Sequence, residues 1–319
     1  MARSGLEFAA CSKHGGGVNV KPHLNAQRRL LLSGGAAGML LSALPGLAAV
    51  KTETATAPRR VVVAGGAITE VVYALDAGAV LIGADTTSTY PAAALALPKM
   101  GYQRALSAEG VLSLHPDLLL ASADAGPPAT LQQIAAAGVR VIRLGERHDV
   151  NTVREKITGV ASALDLAPRG KVLLQRFDSE WQTALVAVQN QRPAKPPRVL
   201  FILSNSGTQA MVAGRDTAAD AMIRYAGAVN ATSDGKGFKG YKPLTAESAV
   251  ASAPDILLIA SESLAAIGGI DRLLASPGIS LTPAAKARRV VADMDSLLLL
   301  GFGPRLPQAL SQLSTQLYS

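Results

Sequence analysis

The chain has 319 residues, 49% of them hydrophobic, 17% charged and 4% aromatic, with a formal net charge of +8. That apolar load excludes intrinsic disorder, and the length leaves material for one large or two medium domains. Its single cysteine, Cys11, excludes an intrachain disulfide framework.

Arg28-Arg29 precede an apolar stretch of about fifteen residues that ends in Pro45-Gly46-Leu47-Ala48. A positive pair, a short apolar run and small residues at its end predict a signal peptide over 1–48, with an extended n-region and cleavage near Ala48. The run is shorter than the roughly twenty apolar residues of a membrane span. General and twin-arginine export both stay open. Cys11 precedes the run and so is not a lipidated first residue. Beyond residue 48 the chain holds 26 basic and 22 acidic residues, a net charge near +4. These charges are scattered, which argues against a nucleic-acid partner. A soluble, exported monomer is expected.

From Val61-Val62-Val63, a strand, the pattern alternates. An amphipathic helix over 68–75 ends at Gly78, and Val80-Leu81-Ile82 forms a second strand. Helices near 107–114 and 129–137 alternate with strands at 118–120 and 139–142. Arg169 to Gln191 has no proline or glycine after Gly170 and predicts one helix, roughly 30 Å long at 1.5 Å per residue. The pattern restarts with a strand over 198–203, a helix near 217–226 and a strand over 256–259. A helix near 270–275, a strand at 290–292 and an amphipathic stretch over 305–318 close the chain. The expected fold is α/β: two lobes, 58–166 and 193–319, with central, mostly parallel sheets. One long helix over 167–192 joins them, with a ligand cleft between. A helical link implies limited hinge motion.

Leu106-Ser107-Ala108-Glu109 and His115-Pro116-Asp117-Leu118-Leu119-Leu120 recur 138 residues later. The second copies are Leu244-Thr245-Ala246-Glu247 and Ala253-Pro254-Asp255-Ile256-Leu257-Leu258. This period far exceeds that of a solenoid repeat and predicts duplication of a whole lobe. In each copy a Ser or Thr caps a helix and a first-turn glutamate meets its dipole.

Beyond the leader the histidines are His115 and His148, without the spacing of a zinc site, and no thiol remains. His115 has Ala253 as its repeat counterpart and reads as structural. GxSxG, Walker and GxGxxG motifs are absent, so catalysis has little to attach to. The informative segment is Asp85-Thr86-Thr87-Ser88-Thr89-Tyr90-Pro91, which follows a strand. Loops at strand C-termini line the crevice of open α/β sheets. Tyr90 before a proline is expected to be extended. Its phenolic oxygen is a hard donor suited to ferric iron, and iron or a nearby cation must help it ionise at neutral pH. Ordinary packing of an exposed loop tyrosine stays open beside that reading.

From about Arg60 to Leu317 the chain resembles the periplasmic haem-binding proteins of bacterial ABC haem importers. The resemblance rests on Gly65-Gly66 with Thr69-Glu70-Val71-Val72-Tyr73-Ala74-Leu75, on Thr89-Tyr90-Pro91, and on Leu97-Pro98-Lys99-Met100-Gly101-Tyr102. It continues through Leu106 to Val111, Ala213 to Ala221, and Gly240-Tyr241-Lys242-Pro243-Leu244. It implies a periplasmic protein, not an enzyme, that binds haem in the cleft with Tyr90 as axial ligand and delivers it to an inner-membrane permease and its ATPase. Some members add a second-lobe histidine; here 204–207 reads Ser-Asn-Ser-Gly, so a cation is expected instead. Lys242 comes first, then Arg215, then Lys239. Arg104, beside Tyr102, would serve Tyr90 or a propionate. A surface role for each of these cations stays open. The resemblance also gives Glu109 and Glu247 as the docking carboxylates, one per lobe, with a purely helix-capping role as the alternative. The glycine-strand opening is shared with cobalamin and ferric-siderophore carriers, which remain the alternative within this fold; an exported α/β enzyme is the alternative from another class.

Overall fold

The computed structural model describes residues 57–319 apart from 146, 204–209 and 234–236. The expected leader and the stretch 204–207 lie outside the described residues. In the first half, β1 (Val61–Ala64), β2 (Leu81–Ala84), β3 (Leu118–Ser122) and β4 (Arg140–Leu144) form one parallel sheet in the order β2-β1-β3-β4. Its helices are α1 (Gly66–Ala74), α2 (Ala108–Leu112) and α3 (Pro128–Ala136). Every residue of β1 is buried, as expected of a parallel strand covered on both faces.

Of the next two helices, the first packs on the first half and the second crosses to the other. The sequence reading anticipates α5 (Ala167–Gln191) but not α4 (Val150–Ala163), which packs against it. Leu173, Phe177, Trp181, Ala184 and Val188 give α5 a buried stripe at three- and four-residue spacing, which fixes its face toward the core. The stripe belongs to one hydrophobic core that runs without a break from Val61 and Val63 to Val199, Phe201 and Leu258. The two sheets are therefore parts of one compact unit.

The second half contains β5 (Arg198–Leu203), β6 (Met211–Ala213), α6 (Ala218–Tyr225), β7 (Val229–Asn230), β8 (Tyr241–Pro243), α7 (Ala246–Ser252) and β9 (Ile256–Ile259). It ends with α8 (Ser261–Ile267), α9 (Ile270–Ala275), α10 (Pro283–Lys286), β10 (Val290–Val291), α11 (Ser296–Leu300) and α12 (Leu306–Tyr318). The sheet order is β10-β9-β5-β6-β8, with β7 beside β5. β10, β9, β5 and β7 run parallel, whereas β6 and β8 add an antiparallel ribbon.

The two copies of the repeat make matching contacts. Asp117 Oδ2 accepts from the backbone N–H of Arg60 at 3.0 Å, and Asp255 Oδ2 accepts from that of Arg198 at 2.8 Å. The Arg60 guanidinium donates to the carbonyls of His115 and Leu114; that of Arg198 donates to Ser252. His115 and Ala253 both adopt the left-handed conformation, with φ of 49° and 40°. Ser107 caps α2 by accepting from Gly110 N–H, as Thr245 caps α7 by accepting from Ser248 N–H.

Among the described residues, polar contacts join the halves at three places. Tyr225 Oη accepts from Val150 N–H at 3.2 Å. Glu70 on α1 accepts from Arg305 at the start of α12. Lys156 on α4, 7% exposed, donates to the carbonyls of Gly301 (3.1 Å) and Phe302 (3.0 Å) in the turn before α12. Burial brings the Lys156 ammonium down to about 8, with Asp124 and Glu70 offsetting part of the shift. In the unfolded chain the same group titrates near 10.5. Between those values the unfolded state binds the extra proton, so the Lys156 contribution to stability rises with pH. In denaturant unfolding, the stability of the wild type minus that of Lys156→Met should therefore become more positive from about pH 7.5 to about pH 10. A difference that stays flat or becomes more negative over that interval contradicts this placement of the lysine.

Candidate functional site

The Tyr90 loop is fixed from its root. Asp85, at the end of β2, is fully buried, and each of its oxygens is satisfied. Oδ1 accepts from Gly65 N–H at 2.9 Å and Ser88 Oγ at 2.8 Å; Oδ2 accepts from Thr87 N–H at 2.9 Å and Thr87 Oγ1 at 2.6 Å. The carboxylate thus ties the loop after β2 to the glycine turn after β1. Gly66 N–H donates to Thr87 Oγ1, and a Cβ on Gly66 would lie 2.4 Å from the Thr87 carbonyl, so the close approach of loop and helix requires glycine. Beyond the tyrosine, Lys99 Nζ donates to the carbonyls of Ser88 (3.0 Å) and Ala94 (2.9 Å) and spans the loop like a strap. The Tyr90–Pro91 peptide bond is cis.

Tyr90 itself is 46% exposed. Over one face of its ring lies the guanidinium of Arg305, with Cζ 3.7 Å from the ring centroid. Arg305 is held in turn by Glu70, through Nε to Oε2 at 3.1 Å and Nη2 to Oε1 at 2.5 Å. The Glu70 side chain is 2% exposed and that of Arg305 16%. Burial pushes the Glu70 carboxyl up, and Arg305 pulls it part of the way back. The arginine keeps its charge because Glu70 outweighs the cost of its own burial.

A second array follows the end of β3. Arg104 Nη1 donates to Tyr102 Oη at 2.6 Å, and the same guanidinium pairs with Asp124, which also accepts from Ser122 Oγ. Tyr102 beside it is exposed, as is Leu95, five residues after Tyr90. Half-buried Tyr241 on β8 feels the charge of Arg104, which brings the edge of the second sheet within electrostatic reach of this array. Burial still raises the Tyr241 phenol above its ordinary value.

The remaining expected cations sit on the β6–β8 ribbon and the loop that follows β6. Lys239 pairs with Asp216 at 2.8 Å, Arg215 Nη2 donates to the Gly237 carbonyl at 2.8 Å, and Lys242 Nζ lies 5.1 Å from the Phe238 ring centroid. Tyr102 and Arg104 are brought together. Among the described residues the cation in contact with Tyr90 is Arg305, which the sequence reading does not name. Glu70 lies in an apolar helix and Arg305 in the Gly-Phe-Gly-Pro-Arg break before the last helix, and no local pattern connects the two. Glu109 and Glu247 are exposed in the first turns of α2 and α7.

A solved structure titled as the periplasmic heme-binding protein BhuT in complex with two hemes is 59% identical to the chain. It superposes with a TM-score of 0.77 over 81% of this chain and 97% of that one. The periplasmic heme-binding protein RhuT from Roseiflexus sp. RS-1, in apo form, is 42% identical, with a TM-score of 0.78 over 82% and 98% of the two chains. A Bacillus subtilis (strain 168) protein named as the uncharacterized ABC transporter substrate-binding lipoprotein YvrC is 26% identical over 82% of this chain and 80% of its own length. Residues 61–297 match the family described as periplasmic binding protein, and with these relatives the chain belongs to that family, in the branch of the periplasmic haem-binding proteins.

Proposed function

We propose that this protein captures ferric haem in the periplasm and hands it to an inner-membrane ABC importer, with the Tyr90 phenolate as the iron ligand. The observation that carries the reading is Tyr90 itself, half-exposed on a loop pinned by Asp85 and Lys99, in a chain 59% identical to a haem-binding protein. A hard phenolate oxygen matches ferric iron. Tyr102 and Leu95 offer flat apolar contact for a porphyrin. Binding, protection and release complete the work; no reaction on the ligand is needed.

The propionates need cations. Arg104 and Lys239 already form ion pairs, with Asp124 and Asp216, whereas among the described residues Arg215 feels Asp216 only at longer range and Lys242 lies against the Phe238 ring. Arg215 and Lys242 are therefore the propionate partners in this reading, with Arg104 presenting Tyr102. For export, the leader over 1–48 is cleaved near Ala48. For delivery, Glu109 and Glu247 occupy equivalent helix starts of the duplicated halves, and a permease with two related subunits would offer each one a basic contact.

Titration with hemin, followed by Soret absorbance, tests the ligand. Tyr90→Phe keeps the ring and removes the oxygen, so it should weaken ferric haem binding about a hundredfold and abolish the tyrosinate charge-transfer band. Tyr102→Phe should keep the band, and vitamin B12 should not compete. Unchanged affinity and spectrum in Tyr90→Phe would exclude that residue as the ligand. Arg215→Ala and Lys242→Ala should each lower affinity about threefold and flatten its dependence on salt; equal salt dependence in all three proteins rules out their propionate role.

Charge reversal of Glu109 and Glu247 to arginine separates capture from delivery. Hemin binding should be unchanged, while uptake into vesicles containing the importer falls partially for each single variant and nearly completely for the double. A helix-capping role alone forecasts a loss of ~0.3–1 kcal/mol of stability per site, with uptake intact. Normal uptake in the double reversal would end the docking assignment.

A further inference from the structure

We infer that Arg305 is a positioning residue for the haem ligand: gripped by Glu70, it fixes the plane of the Tyr90 ring and makes the first half's ligand depend on the second half's seating. This rests on the reading of Tyr90 as the iron ligand and adds to it the part that aims the phenol.

The geometry supports a positional role over a simple charge. A guanidinium that donates through both Nε and Nη2 to two oxygens of one carboxylate has its plane set, which a lysine ammonium cannot reproduce. With that plane set and Cζ 3.7 Å from the centroid, one whole face of the phenol is covered. The ring then turns only toward its open side, and Oη is confined to a narrow arc. Glu70 grips the guanidinium through two donors, so the pair delivers orientation to Tyr90 along with charge.

The backbone under Arg305 is held as firmly. Lys156, from the first half, donates to the carbonyls of Gly301 and Phe302, and Leu306 N–H donates to the Gly303 carbonyl. A Cβ on Gly303 would stand 3.0 Å from Glu70 Oε2 and 3.4 Å from Ala67 Cα, so this turn lies directly against α1. A continuous path of contacts therefore runs from Lys156 through the 301–305 turn to Glu70 and Tyr90. If the second half shifts against the first, the stack on the tyrosine is lost with it.

The test compares Arg305→Lys, Arg305→Met and the Glu70→Met/Arg305→Met double variant with wild type. The double variant removes the buried pair as a unit and so avoids an orphaned buried carboxylate. Hemin-loaded proteins are read by transfer to apomyoglobin and by the charge-transfer band, with melting temperature measured alongside. All three should still bind hemin through Tyr90, lose it about tenfold faster than wild type, and show a shifted, broader band. Arg305→Lys should match Arg305→Met, because charge without the fork does not orient the ring. Wild-type dissociation and band in Arg305→Lys would overturn the inference, as would wild-type behaviour of the double variant. Tyr90→Phe run in parallel keeps the two readings apart. If it binds with an unchanged band, the ligand assignment fails; if it loses the band while Arg305→Lys is unaffected, only the positioning role fails.

Discussion

The buried pair between Glu70 and Arg305 is the contact on which the rest of the arrangement turns. A carboxylate 2% exposed is costly to desolvate, and it is tolerated here because a two-pronged guanidinium meets it from the other half. Removing either partner leaves a charge stranded in the interior, so the pair acts as a register mark for how the halves are joined. The same guanidinium covers the face of Tyr90. One interaction thus links the seating of the halves to the chemistry of the site.

Duplication explains why the remaining framework is economical. Asp117 with Arg60 and Asp255 with Arg198 close the same loop in each half, and Ser107 and Thr245 start equivalent helices bearing Glu109 and Glu247. The two copies then diverge. The first carries the pinned tyrosine loop after β2, whereas the second gains the antiparallel β6–β8 ribbon with its exposed cations. A single core running through α5 holds them in one unit.

The elements legible in the sequence are those whose signal is local. Apolar runs at 61–63, 118–120 and 256–259 lie in β1, β3 and β9, and the absence of proline and glycine from 171 to 191 marks α5. The helix α4 was not legible: its buried face includes Thr152 and Lys156, so its pattern lacks a clean apolar stripe. β6 and β8 are three residues each, too short for alternation to register. Tyr90 could be singled out by its place after a strand and before a proline. Its cation could not, because Glu70 and Arg305 are 235 residues apart and only the packed fold makes them neighbours. The expected sources of charge, Lys242, Arg215 and Lys239, were chosen by likeness of motif, and such likeness carries no information about which cation stacks on the ring.

A crystal structure of the hemin-loaded protein tests the central claim most directly. The account predicts Tyr90 Oη within bonding distance of the iron, with Arg305 still stacked on the ring and paired with Glu70. Iron ligated by any other side chain, with Tyr90 turned away from the porphyrin, would contradict it.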